Sequence, residues 1–112
     1  MAGGLNELSD GTVLVAGLIN LEVTLRVERF PVDYNPVNYP FFGVNSTVSG
    51  VGYNVAKALR TLGEPVVLLS LVGNDDAGAL VRHALGAASL PEGGILSDLA
   101  ATPHSVILYP DC

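Results

Sequence analysis

The chain has 112 residues, 49% of them apolar, with a positive mean hydropathy, which suits one domain with a modest core. Eleven acidic residues against five basic give a net charge of −6, a balance that disfavours nucleic acid and anionic membrane surfaces as partners. No apolar run approaches the roughly 18 residues of a membrane span, and the single cysteine, Cys112, leaves no internal disulfide.

The opening segment "MAGGLNELSDG" has neither a basic start nor an apolar centre, so a cytoplasmic protein is expected. The acceptor pattern Asn45-Ser46-Thr47 then reads as chance. Residues 13–19, "VLVAGLI", form an unbroken apolar run that predicts a strand buried on both faces. Residues 22–30, "EVTLRVERF", set Val23, Leu25 and Val27 against Thr24, Arg26 and Glu28, which predicts a strand with one wet face. Pro31, Pro36 and Pro40 break the next segment, and "FFGVNSTVS" offers a further short strand.

From Asn54 the period becomes helical, with Val55, Ala56, Leu59 and Leu62 on one face and Gly63 as a stop. A buried strand "VVLLSLVG" follows Pro65. Asp75 or Asp76 caps a second helix whose apolar face is Ala77, Leu80, Val81, Ala84 and Leu85. "SVILYP", residues 105–110, closes the series as another strand. The order predicts an α/β fold in which the two apolar strands are parallel neighbours.

The stretch "SGVGYNVAKALRTLG", residues 49–63, sets Gly50 and Gly52 directly against a helix start. Three readings compete: a tight turn with Asn54 as N-cap, a dinucleotide fingerprint, and a polyol site. The fingerprint is weakened because Val55 stands where a third small residue is wanted and no buried strand precedes it. In the polyol reading, backbone groups of Gly50 and Gly52 and the Asn54 amide hold hydroxyls.

That stretch resembles the sugar-binding signature of the ribokinase-like (PfkB) family of carbohydrate and nucleoside kinases. "GLINLE" (17–22) resembles the end of that family's first strand, "VGNDDAG" (72–78) its Gly-x-Asp-x-x-Gly, and "TPHSVILYP" (102–110) a later lid strand. The resemblance implies a partial ribokinase-like, Rossmann-type parallel sheet with an antiparallel β lid at about residues 22–48 and 105–110. Residues 1–112 would be the N-terminal part of a single domain. It implies substrate contacts at Asn20, Glu22, Gly50, Gly52 and Asn54, and transfer of the γ-phosphate of ATP to a hydroxyl of a sugar or nucleoside. Ser49 replaces the first of the usual paired glycines, and Glu22 stands where the family has Asp. The family's Gly-Ala-Gly-Asp motif, with its catalytic base, is not in the sequence. The base and most of the ATP and Mg2+ sites are therefore expected in a missing C-terminal half, and the 112 residues alone are expected to be inactive. Dimeric relatives imply a homodimer through the lid. The alternative is a non-catalytic binding or structural α/β module.

Tyr34, Tyr39, Phe41, Phe42 and Tyr53 form an aromatic set suited to stacking on a nucleobase or to lid packing. Asp75 and Asp76 read as helix caps rather than metal ligands, and His83 and His104 as surface residues without ligand partners. No metal site is expected, and Lys57 reads as helix solvation rather than phosphate binding.

Overall fold

The computed structural model describes residues 11–111. Its elements run β1 (Val13–Ala16), β2 (Asn20–Val27), β3 (Val44–Ser49), α1 (Val51–Thr61), β4 (Val66–Gly73), α2 (Asp76–Ala87), β5 (Ile95–Leu99) and β6 (His104–Pro110). They make two sheets. The core sheet has the order β1-β4-β5 and is parallel throughout, with Val13 opposite Val66 and Ser70 opposite Ile95. The two apolar runs are thus parallel neighbours, as the pattern requires. β5 has no counterpart in the sequence reading, because Ser97 and Asp98 interrupt its apolar pattern. It is fastened from outside: Arg82 of α2 donates to the Ile95 carbonyl at 3.1 Å and to Ser97 Oγ at 2.7 Å.

Both helices serve one face of the core sheet. Val13, Val15, Val66, Leu68, Val72 and Ile95 pack with Tyr53, Ala56, Val81 and Leu85 in one cluster, and Leu68, Val72, Val81 and Leu85 are wholly removed from solvent. Each such side chain contributes about 1.5–3 kcal/mol from burial. On the other face Leu14, Leu71 and Leu96 remain 47%, 43% and 40% exposed. β1 is therefore not buried on both faces, since among the described residues nothing covers its second side.

α1 begins three residues before Asn54. Its N-cap is Gly50, without a side-chain cap, so Asn54 lies inside the first turns. That phase puts Gly52, Tyr53 and Ala56 inward and leaves Val55 and Leu62 exposed, a rotation of the expected face. Gly63 ends the helix as predicted, at φ +90°. The Gly63 N–H donates to the Arg60 carbonyl and the Glu64 N–H to the Leu59 carbonyl, both at 3.0 Å, the Schellman pattern. α2 starts at an Asp75 cap, with Ala77, Val81 and Leu85 buried but Leu80 half exposed.

The outer sheet has the order β3-β2-β6 and is separate from the core sheet. β2 pairs antiparallel with β3 but parallel with β6, from Leu21 opposite His104 to Val27 opposite Pro110. It is mixed rather than wholly antiparallel. β2 follows β1 and β6 follows β5, and since those two core strands run the same way, so do their continuations. Period-2 alternation then sorts the faces. Asn20, Glu22 and Thr24 share a side with Ser49, Thr47 and Ser105, while Leu21, Val23 and Leu25 share the other with Val48, Val106 and Leu108.

The aromatic set divides. Tyr53 is 5% exposed and belongs to the core, whereas Tyr34, Tyr39, Phe41 and Phe42 are 73–93% exposed on the segment between β2 and β3.

Candidate functional site

Two chain crossings between the sheets meet at one point. Residues 17–19 lead from β1 into β2, and Gly50 leads from β3 into α1. The Leu18 carbonyl accepts from the N–H groups of Gly52, at 3.0 Å, and Tyr53, at 3.3 Å. These are donors a helix start leaves without intrahelical partners, so a neighbouring backbone carbonyl replaces the missing capping side chain. This contact demands both glycines. A Cβ on Gly50, where φ is +107°, would collide with the Leu18 carbonyl and stand 3.0 Å from Asn20 Oδ1. A Cβ on Gly52 would stand 2.6 Å from the Gly17 carbonyl carbon. Gly52 therefore contributes close approach, and its N–H is already committed.

The polar side chains gather around this crossing. Asn20 is 6% exposed at the start of β2, and its Nδ2 donates to Ser105 Oγ of β6 at 2.7 Å. Ser49, opposite Asn20 in the ladder, accepts from Asn54 Nδ2 at 3.4 Å. Asn54 thus bonds the residue that faces Asn20 across the ladder, and Gly50 follows that residue in the chain. Glu22 stands one step further along the same face, between Thr47 and Ser105 and partly buried. The amides offer donors and acceptors and the carboxylate offers acceptors, a set suited to neutral polyhydroxyl groups. Ser105 and Thr47 carry no sequence signal of their own: Thr47 lies in the largely polar VNSTVS of β3, and Ser105 follows His104 at the start of β6.

Other polar features lie elsewhere. A recess of about 380 Å³, lined by Arg26, Arg29, Asp33, Tyr39 and Leu108 among others, sits at the distal end of β2. Its Arg29–Asp33 pair, 2.8 Å apart, is exposed. Lys57 lies 5.9 Å from the Tyr53 ring centroid, a cation–π contact on the helix surface. The Asp75 carboxyl has its pKa lowered to about 2, chiefly by the Thr102 hydroxyl, then by the N–H groups of Thr102 and Gly78.

A parallel α/β core carrying a separate three-stranded sheet, with a polar cluster at the joint, defines the amino-terminal architecture of ribokinase-fold kinases. The chain belongs to the pfkB family of carbohydrate kinases, whose pattern it matches over residues 10–98. It is 36% identical over 100 residues to an ATP-dependent ribose-1-phosphate kinase of Halopiger xanaduensis, a match covering 88% of this chain and 33% of that one. The solved structure of a Methanocaldococcus jannaschii nucleoside kinase superposes with a TM-score of 0.74 at 22% identity, over 97% of this chain and 35% of that one. Arabidopsis thaliana ribokinase, complexed with ribose and ATP, gives 0.74 at 21%, over 89% and 32%. These likenesses carry the fold, and the chain spans about a third of the length of the relatives it matches.

Proposed function

We propose that the chain is the N-terminal, acceptor-binding portion of an ATP-dependent sugar or nucleoside kinase. Family membership and the 36% identical ribose-1-phosphate kinase support the reaction class. The observation that carries the acceptor role is the placement of two hydrogen-bonded pairs, Asn20–Ser105 and Asn54–Ser49, on adjoining elements at the joint between the sheets. In this reading Asn20, Glu22 and Asn54 hold substrate hydroxyls, with Gly50 and Gly52 shaping the floor, and the outer sheet covers them as a lid. Phosphoryl transfer requires positioning and exclusion of water more than covalent assistance, and these are what such residues supply. The proton acceptor and the nucleotide site fall to the remaining two thirds of the protein. Mg2+ would be held there too. Among the described residues no three His, Cys, Asp or Glu side chains gather to hold a metal.

The apolar face of the outer sheet, with Val106 66% and Leu108 42% exposed, supports a homodimer formed through that sheet. Among the described residues no helix is long and apolar enough to cross a membrane. The net charge of −6 supports a protein that works away from nucleic acid and anionic membranes, in the cytoplasm.

The test is calorimetry on the full-length protein. Asn54→Ala should weaken sugar or nucleoside binding about tenfold, the worth of one or two hydrogen bonds, and leave ATP binding within twofold. Equal loss of both would defeat the acceptor assignment. Acceptor binding without any phosphoryl transfer by the wild type would favour the non-catalytic module instead.

A further inference from the structure

The Gly-x-Asp-x-x-Gly segment takes no part in the site above, yet its three spaced residues close around a single side chain on another element. Asp75 Oδ1 accepts from the Thr102 hydroxyl at 2.6 Å and from the Gly78 N–H at 2.8 Å, while Oδ2 accepts from the Thr102 N–H at 2.9 Å. The Thr102 hydroxyl accepts in turn from the Gly73 N–H at 2.9 Å. Thr102 is 2% exposed. The flanking glycines make the room: a Cβ on Gly73 would stand 2.6 Å from Thr102 N, and one on Gly78 would collide with the Gly73 carbonyl. The motif is a clasp closed on a threonine.

What the clasp grips is the root of a lid strand. Thr102 lies between β5 and β6, at the third crossing between the two sheets, and β6 begins two residues later. His104 Nδ1 meets the Thr102 carbonyl at 2.8 Å. Ser105, three residues past the clasp, accepts from Asn20 Nδ2. The other two crossings rest on glycine contacts and the Leu18 carbonyl. Only the third is held by a carboxylate.

We propose that Asp75 is a positioning residue for phosphoryl transfer: by holding Thr102 it sets the placement of β6, and through Ser105 the orientation of Asn20 over the acceptor. The proposal rests on the kinase reading. The carboxylate, ionised throughout the physiological range, presents acceptors only, which matches the three donors converging on it. Asp75→Asn keeps the shape but replaces one acceptor oxygen with a donor facing Thr102 or Gly78. Thr102→Val removes the hydroxyl and keeps the backbone bond, and Thr102→Ser restores the hydroxyl.

The experiment measures, on full-length protein, the acceptor KM, the ATP KM and the ATP consumed per acceptor phosphorylated. Asp75→Asn and Thr102→Val should raise the acceptor KM on the order of tenfold to a hundredfold, the effect of misplacement by about an ångström. They should also raise uncoupled ATP hydrolysis severalfold, since a displaced lid admits water, and leave the ATP KM within twofold. Thr102→Ser should behave as wild type. A clasp that only stabilises the fold would lower the melting temperature without moving the coupling ratio, and that result overturns the proposal. Hydrogen exchange separates this from failure of the kinase reading. Wild type that phosphorylates no acceptor sinks the reading, whereas exchange at residues 102–106 that Asp75→Asn leaves unchanged sinks the clasp. If Asp75→Asn does not fold, Thr102→Val against Thr102→Ser decides on the same readouts.

Discussion

Gly52 and Gly86 both sit in helices, so the same substitution at each separates helix propensity from close approach. Alanine in place of glycine gains up to about 1 kcal/mol inside a helix. At Gly86 of α2 nothing lies within 4 Å of the added Cβ, so Gly86→Ala should stabilise by about 0.5–1 kcal/mol. At Gly52 the Cβ would stand 2.6 Å from the Gly17 carbonyl carbon and 2.8 Å from Gly17 Cα and O, against 3.4 Å or more for an ordinary contact. Every one of these atoms is backbone, so the 17–18 crossing must withdraw by roughly 0.8 Å. Overpacking of that kind costs about 1–3 kcal/mol. Withdrawal also lengthens the Gly52 to Leu18 bond, now 3.0 Å, worth about 1 kcal/mol. Net of the propensity gain, Gly52→Ala should destabilise by about 1–3 kcal/mol, leaving the two variants about 2–4 kcal/mol apart.

Urea titration of the full-length protein, followed by circular dichroism, measures both variants against wild type. The m-value should stay constant while the midpoints move in opposite directions. Gly52→Ala gaining stability as Gly86→Ala does would refute the close-approach reasoning, and with it the account of why a glycine occupies the first turn of α1.

Two further outcomes follow from the geometry of α2 and its cap. Ser89 adopts φ +57° just past the end of α2, a left-handed position that costs a non-glycine residue roughly 1 kcal/mol, so Ser89→Gly should raise the denaturation midpoint by an amount corresponding to about 0.5–1 kcal/mol. Asp75 has its pKa lowered from 3.8 to about 2, so its contribution to stability is fully present above pH 4 and is lost as pH falls toward 2. Melting temperatures recorded from pH 5 to pH 2 should fall less steeply for Asp75→Asn than for wild type, and parallel curves would contradict this.

The elements legible in the sequence were those whose pattern a single environment dictates. β4 is an apolar run because its neighbours in the core sheet are apolar, and β2 alternates because its two faces meet different surroundings. The cap of α2 is legible as Asp75 or Asp76, and it is Asp75 whose side chain serves the helix it begins. What stayed hidden depends on contacts distant in sequence. A capping side chain is the usual start signal and points to Asn54, whereas the donors at the start of α1 are met by the carbonyl of Leu18, on a distant part of the chain. With α1 starting three residues earlier, Tyr53 belongs to the core rather than to an aromatic set for base stacking or lid packing. β5 gave little sign because Arg82 of α2 grips its backbone and Ser97, and no local pattern records that. The parallel pairing of β6 with β2 depends on the direction of β5, so it was equally out of reach.

The candidate site was legible as a list of residue types but not as a division of labour. Glycines before a helix suggest backbone donors offered to a ligand, yet at α1 the N–H groups of Gly52 and Tyr53 are spent on Leu18 and that of Asn54 on the Gly50 carbonyl. The polar groups that remain at the joint are side chains on three different strands, β2, β3 and β6, and on α1. Asn20 is the least free of these, buried with one amide hydrogen committed to Ser105, so its orientation depends on where β6 lies. Glu22 and Asn54 face less constraint, the first partly buried and the second exposed, while Asn20 registers the placement of the sheet. A glycine-built joint that lets the outer sheet approach, and an acidic clasp that fixes one strand of it, are thus two parts of one requirement: polar groups must be held at the joint without being consumed by the fold.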